Sequence, residues 1–158
     1  ILEHRSLFLF GPRQTGKTTL LRSRFPEARY WNLLQADTFR ELSSSPELIR
    51  QRLEPHDSLV IIDEVQKLPA LLDEVHSLIE SNKNLRFILT GSSARKLKRG
   101  GANLLAGRAW ITNLYPLVSP ELNFLRFEDR LRIGSMPSVI DSPNPTEDLR
   151  AYIGTYLR

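Results

Sequence analysis

The segment Gly11-Pro12-Arg13-Gln14-Thr15-Gly16-Lys17-Thr18 decides the fold of this chain. Glycine stands at its first and sixth positions, and a lysine and a threonine close it, which is the spacing of a phosphate-binding P-loop. The two glycines allow backbone angles that turn successive N–H groups towards one anion. An apolar run, Ser6–Phe10, precedes the segment, and a helix is predicted from Thr18 to Arg24. A strand, a loop and a helix in this order predict binding of nucleotide phosphates.

Each fixed position of the loop has a predicted role. Lys17 is long enough to reach the β- and γ-phosphates, and the Thr18 hydroxyl is a ligand for Mg²⁺. The other residues predicted to surround the nucleotide are Gly11, Pro12, Arg13, Gln14, Thr15, Gly16 and Thr19. For Arg13, solvent exposure is favoured over contact with a partner or with a phosphate. The alternative for the whole segment is a glycine-rich turn that binds no ligand.

A pair of acidic residues follows a second apolar strand. Leu59–Ile62 is a continuous aliphatic run, typical of a strand that is covered on both faces of a parallel sheet, and Asp63 and Glu64 come directly after it. Ligands in such sheets bind beyond the carboxyl ends of the strands. Asp63 is therefore predicted to hold Mg²⁺ through water, and Glu64 to activate a water molecule. The alternative is that both acids only stabilise the start of the next helix.

A third polar group follows the predicted strand Leu85–Leu89, where the sequence reads Thr90-Gly91-Ser92-Ser93. A hydroxyl at this position can hydrogen-bond the γ-phosphate or the attacking water. Thr90 and Ser92 are the two candidates, and Ser92 is favoured. The alternative is a turn whose hydroxyls cap the following helix.

Predicted strands alternate with predicted helices along most of the chain, which indicates an α/β fold with a parallel sheet. The strands are predicted at 6–10, 30–33, 59–62, 85–90 and 109–113, and the helices at 18–24, 46–53 and 68–79. Residues 1–115 are predicted to form the core, and the proline-rich residues 116–145 a connector with a helix near Asn123–Leu131. Residues 146–158 are expected to begin a C-terminal helical domain that is cut short in this chain.

Composition excludes several classes of protein. The chain of 158 residues has no cysteine, which excludes disulfides, thiolate metal ligands and a cysteine nucleophile, and is compatible with a cytoplasmic location. No apolar run is long enough to span a membrane. The net charge of +4 is mild for a nucleic-acid binder. The basic run Arg95–Arg99 lacks interleaved aromatic residues, so a solvated surface is favoured and nucleic-acid binding stays an alternative.

With these motifs in place, the chain resembles the P-loop ATPases of the AAA+ and related division. More narrowly it resembles the fourteenth AAA domain family, a group of prokaryotic ATPases whose core precedes a C-terminal domain of unknown function. The segments that carry the resemblance are Gly11–Thr18, Ile61–Lys67, Leu89–Arg95 and Leu104–Ala109. It implies ATP and Mg²⁺ as ligands and a three-layer α/β/α sandwich with a parallel sheet in the strand order 5-1-4-3-2.

The resemblance also implies a role for Arg108, because an arginine in this region of AAA-type homo-oligomers can reach the γ-phosphate bound by a neighbouring subunit. An ion pair with surface acids is the alternative for Arg108. No helical lid with a second sensor arginine is evident in this sequence. The leading hypothesis is thus an Mg²⁺-dependent ATPase that drives conformational change. The alternatives are a binding switch without significant turnover, a nucleic-acid loading or remodelling ATPase, and, least favoured, a small-molecule kinase.

Overall fold

A computed structural model describes residues 5–99, 105–122 and 127–156 of the chain. Its five strands form one sheet in the order β2-β3-β4-β1-β5, and every neighbouring pair is parallel. The strands are β1 (Ser6–Phe10), β2 (Arg29–Asn32), β3 (Leu59–Asp63), β4 (Arg86–Gly91) and β5 (Ala109–Asn113). Counted from the other edge the order is 5-1-4-3-2, so the predicted α/β class, parallel sheet and strand order are confirmed.

Helices connect the strands and follow the last one. In the described residues they are α1 (Lys17–Arg24), α2 (Ala36–Ser44), α3 (Leu48–Gln51), α4 (Leu71–Ser81), α5 (Ala94–Arg99), α6 (Phe127–Ile133), α7 (Pro137–Ile140) and α8 (Pro145–Tyr156). Short 3₁₀ turns occupy Val65–Lys67 and Leu105–Gly107. Over the same part of the chain, no helix combines the length and the apolarity that crossing a bilayer requires.

Several helix boundaries differ from those predicted. The helix predicted at 68–79 begins only at Leu71, because the 3₁₀ turn Val65–Lys67 comes between β3 and α4. Helix α2 was not predicted, since Leu42 is its one buried residue and its apolar pattern is correspondingly sparse. The helix predicted near Asn123–Leu131 begins at Phe127 in the described part of the chain, and residues 123–126 lie outside that part.

The inner strands of the sheet are buried on both faces. One face packs in a cluster with helix α4, and this cluster includes Phe8, Phe10, Val60, Ile62, Phe87, Leu89, Leu71, Leu72, Val75 and Leu78. The alternate residues of the inner strands are buried as well, namely Leu7, Leu9, Ile61 and Ile88. Burial of both faces explains the near-continuous apolar runs in β1, β3 and β4. Because all strands run in one direction, Asp63 and Gly91 both lie where the carboxyl ends of the strands meet.

The chain divides into two compact units. The first comprises Ile1–Gly11 and Thr18–Asn113, and it contains the whole sheet. The second comprises Pro12–Lys17 and Leu114–Arg158, so the central part of the P-loop groups with α6, α7 and α8. Within this second unit, α8 packs against both α6 and α7. The domain boundaries predicted after residues 115 and 145 are not tested by this grouping and stay predictions.

We expect the substitution Ile88→Ala to lower the free energy of unfolding by about 2–5 kcal/mol, because it leaves a cavity in the central strand β4. Ile88 is 0% exposed, whereas Ile111 in the edge strand β5 is 51% exposed. The matched substitution Ile111→Ala should change stability by roughly 0.5 kcal/mol or less. Urea denaturation of both variants measures the difference, and equal losses would contradict the interior position of β4.

Candidate functional site

The carboxylate of Asp63 is the centre of a buried hydrogen-bond cluster at the end of β3. Asp63 is 1% exposed. Its Oδ2 accepts a hydrogen bond of 2.6 Å from the Thr18 hydroxyl, in the first turn of α1. Its Oδ1 accepts a hydrogen bond from the Thr90 hydroxyl, near the end of β4. Three segments that are far apart in sequence therefore meet at one carboxylate.

Tyr30 in β2 is a further donor to this carboxylate. Its hydroxyl donates to Oδ2 of Asp63, and the Arg22 guanidinium lies 4.5 Å from the centroid of its ring. Burial raises the pKa of Tyr30 to about 12, and the hydrogen bond to Asp63 acts in the same direction. The phenol is therefore protonated at neutral pH and donates its proton to Asp63.

Tyr30 was not among the site residues predicted from the sequence. The signal that could have found it is the implied strand order, which puts β2 beside β3. In that register Tyr30 pairs with Ile61 and Asn32 with Asp63, so a polar atom on β2 comes within reach of the Asp63 carboxylate. The sequence motifs do not include Tyr30, because no fixed spacing along the chain links it to Asp63.

The oxygens of Thr18 and Asp63 are suitable for Mg²⁺, which prefers hard oxygen ligands and keeps several of its waters. One or two carboxylates from the protein are enough for such a site when substrate phosphates complete it. In the ranges that the structure describes, no group of three or more His, Cys, Asp or Glu side chains is arranged to hold a metal ion. The donor set of Thr18 and Asp63 thus fits a metal ion that is shared with phosphates.

Glu64 has a strained backbone and a restrained side chain. Its φ and ψ angles are 63° and 44°, in the left-handed region. For a residue with a side chain this conformation costs about 1–3 kcal/mol. Its backbone N–H donates a 3.0 Å hydrogen bond to Thr90 Oγ1, and its carboxylate accepts one from Gln66 Nε2. Strain that is held by surrounding contacts is typical of active sites.

Side chains of the P-loop hydrogen-bond to the backbone of the same loop. Gln14 and Gly16 are left-handed, with φ angles of 63° and 85°. The Lys17 ammonium donates to the Pro12 carbonyl at 2.8 Å, and the Thr15 hydroxyl donates to the same oxygen at 2.9 Å. Lys17 is 5% exposed. The alternation of left-handed residues is typical of a backbone that binds anions, and a phosphate would compete with the Pro12 carbonyl for the lysine.

The variable positions of the P-loop contact the C-terminal helices of the same unit. The Arg13 guanidinium lies 5.0 Å from the centroid of the Tyr156 ring and donates a 3.3 Å hydrogen bond to its hydroxyl. Arg13 is exposed while it makes this contact. The Ser138 hydroxyl donates to Gln14 Oε1 at 2.9 Å. A cavity of about 260 Å³ beside Gln14 is lined by Ser138, Asp148, Ala151, Tyr152, Thr155 and Tyr156.

Two predicted catalytic residues do not join the Asp63 cluster. Of the two hydroxyls considered, the described contacts bring Thr90 to Asp63 and Glu64, and the role of Ser92 stays a prediction. Arg108 precedes β5 and therefore lies at the amino end of the sheet, opposite to Asp63. It forms an ion pair with Glu80 of the same chain. A role for Arg108 at a neighbouring subunit also stays a prediction.

Comparison with known proteins gives one family. A family model described as "AAA domain" matches residues 3–123, which include the P-loop, the acids Asp63 and Glu64, and the hydroxyls of Thr90 and Ser92. A search of curated proteins gives no significant match. The match covers more than half of the chain.

We expect Tyr30 to make stability depend on alkaline pH. Its folded-state pKa of about 12 lies above the ordinary value of 10.0, so its contribution is fully present below 10.0 and is lost as the pH rises through about 12. The difference in unfolding free energy between the wild type and Tyr30→Phe should shrink over this window. Denaturant titrations at several pH values measure it.

Tyr115→Phe is the matched control, because Tyr115 is 69% exposed. This variant should keep the pH dependence of the wild type. The assignment to Tyr30 is wrong if Tyr30→Phe also keeps it.

Proposed function

The chain belongs to the AAA domain family of nucleotide-binding ATPases, and on this premise we propose that it binds ATP with Mg²⁺ and hydrolyses it to drive conformational change. The observation that carries the proposal is the meeting of Thr18, Asp63 and Thr90 at one buried carboxylate. Thr18 is the last residue of the P-loop motif, and Asp63 follows an aliphatic strand. A hydroxyl and a carboxylate at these two positions are the Mg²⁺ ligands of P-loop ATPases.

Phosphate binding is proposed for the P-loop and the start of α1. The bound phosphates would replace the Pro12 carbonyl, which accepts a 2.8 Å hydrogen bond from Lys17 Nζ, as a partner of the ammonium. This exchange is favourable because the phosphate oxygens are negatively charged, so the ammonium gains a Coulombic attraction that a neutral carbonyl does not supply. The N–H groups at the start of α1 and the positive end of its dipole add to the attraction.

Glu64 is proposed as the general base. It lies directly after Asp63, is 9% exposed, and has a carboxylate that can accept a proton from the water that attacks the γ-phosphate. Thr90 is proposed to fix both acids, since its hydroxyl donates to Asp63 and accepts from the Glu64 N–H. Ser92 is proposed to hydrogen-bond the γ-phosphate. When bound by Thr18 and Asp63, Mg²⁺ supplies positive charge that neutralises the phosphate oxygens.

A switch that responds to nucleotide occupancy with little turnover is the second candidate. The contacts of Arg13 with Tyr156 and of Gln14 with Ser138 favour it, because they link the phosphate-binding loop to helices α7 and α8. Loss or gain of these contacts on nucleotide binding would signal occupancy without hydrolysis. Nucleic-acid binding by the run Arg95–Arg99 stays a prediction, and the side chains of Lys96, Lys98 and Arg99 lie outside the described part of the chain.

We expect Glu64→Gln to keep nucleotide affinity and to lower the rate of hydrolysis by about 10²–10⁴, the usual effect of a general base. Lys17→Ala is the companion variant, and it should lower affinity, because it removes the cation that contacts the phosphates. Calorimetry with ATP and Mg²⁺ measures binding, and phosphate release measures turnover. Hydrolysis at the wild-type rate by Glu64→Gln would refute the base, and no binding by folded wild-type protein would refute the whole proposal.

A second prediction concerns Arg108, for which we propose the role of an arginine finger between subunits of a homo-oligomer. Arg108→Ala should then lower hydrolysis by about 10³ or more. A mixture of Arg108→Ala with Glu64→Gln should regain activity, because one variant supplies the finger and the other the base. Glu80→Ala is the control, since it removes the ion pair with Arg108 within the chain, together with a 3.6 Å ion pair to Lys83, and leaves Arg108 in place. An inactive mixture of oligomers that are shown to exchange subunits would exclude this role.

A further inference from the structure

The side chain of Gln66 contacts two segments of the candidate site. Gln66 lies in the 3₁₀ turn Val65–Lys67, two residues after Glu64. Its Nε2 donates a hydrogen bond to Oε2 of Glu64. Its Oε1 is shielded from solvent and has no hydrogen-bond partner among the described residues. A buried amide oxygen without a partner is unfavourable, so other contacts must fix Gln66 in this orientation.

The orientation follows from the charge of Glu64. If the amide were turned over, its oxygen would face the carboxylate, and two acceptors would repel each other. The hydrogen bond from Nε2 to a charged acceptor is stronger than one between neutral groups. This bond therefore determines which end of the amide faces Glu64 and leaves Oε1 directed towards β4.

Gly91 at the end of β4 makes room for this oxygen. A Cβ atom on Gly91 would lie 2.6 Å from Gln66 Oε1 and 3.2 Å from Cε1 of Phe10. The backbone of Gly91 does not require glycine, because its φ angle is not among the positive ones. A methyl group at this position would therefore require the Gln66 amide to move, because the amide oxygen makes the shortest of these contacts.

From these contacts we propose that Gln66 is a positioning residue for Glu64, with Gly91 as the surface that holds the amide in place. The inference rests on the function proposed above for Glu64. The hydrogen bond restricts the carboxylate to one orientation, which is what a general base needs to meet a bound water. The orientation of the Glu64 carboxylate thus depends, through Gln66 and Gly91, on the end of β4. This strand contains Thr90, and Ser92 follows it. The end of β4 therefore helps to position the carboxylate of the proposed base by packing against Gln66, separately from any contact with phosphate.

The first experiment uses the protein without nucleotide and measures the steric contact by a double-mutant cycle. Gly91→Ala is made in the wild type and in Gln66→Ala, and the thermal midpoint is measured for all four proteins. Gly91→Ala should lower the midpoint clearly in the presence of Gln66 and much less in its absence. A small loss should remain in both backgrounds, because the contact with Phe10 is independent of Gln66. Equal losses in the two backgrounds would overturn the proposed contact.

The second experiment separates positioning from stability. Gln66→Met keeps the length of the side chain and removes the donor to Glu64, and it also removes the buried oxygen, so the fold should be retained. We expect kcat to fall by about 10²-fold, the effect of misplacing a catalytic group. The affinity for ATP and KM should stay unchanged. Gln51→Met is the matched control, because Gln51 is exposed on α3 and should tolerate the same change.

The outcomes distinguish this inference from the proposed function. If Glu64→Gln abolishes hydrolysis and Gln66→Met keeps the wild-type kcat, the function holds and the positioning role is refuted. If Gln66→Met lowers affinity for ATP as much as kcat, Gln66 acts on binding, and the positioning role is again refuted. If the wild-type protein has no turnover that Glu64→Gln can lower, the proposed function fails and the positioning role fails with it.

Discussion

A buried carboxylate requires hydrogen-bond donors, and the site of this protein depends on how that requirement is met for Asp63. An ionised group that is 1% exposed would be strongly unfavourable without partners. The donors are the hydroxyls of Thr18, Tyr30 and Thr90, which come from α1, β2 and β4. The parallel sheet brings these elements together at the carboxyl ends of its strands, because the order β2-β3-β4 puts β3 between two strands that carry donors. The fold therefore explains why one acid can be buried at this position.

Much of this arrangement could be predicted from the sequence, because it depends on local spacing. The P-loop and the acids after Leu59–Ile62 are read from short segments, and the resemblance supplied a strand order that the structure confirms. Tyr30 was not predicted, although the implied strand order puts β2 beside β3 and so offered a signal for it. The contact of Gln66 with Glu64 could not be predicted, since it depends on side-chain orientation within a turn. Strand β4 continues to Gly91, so Thr90 lies within the strand and its hydroxyl donates to Asp63.

Local rules of structure are broken in this protein mainly where chemistry is proposed. Of the described non-glycine residues, Gln14, Glu64 and Leu105 have left-handed backbones, and the first two belong to the candidate site. Gln66, beside Glu64, buries an oxygen without a partner in the described part of the chain. Each feature is unfavourable by itself and persists because neighbouring contacts hold it. Such exceptions to otherwise consistent folding rules are expected at functional sites. These backbone and hydrogen-bond features are independent of the sequence motifs, and they indicate the same region as the functional site.

The contacts of the P-loop indicate where a shortened version of this protein should end. The family match ends at residue 123, whereas Ser138 and Tyr156, which contact Gln14 and Arg13, lie beyond it. A shorter protein that stops at the limit of the match would retain every motif residue and would lose the side chains that restrain the loop. Homology alone would thus set a cloning boundary inside the structural unit to which the nucleotide loop belongs.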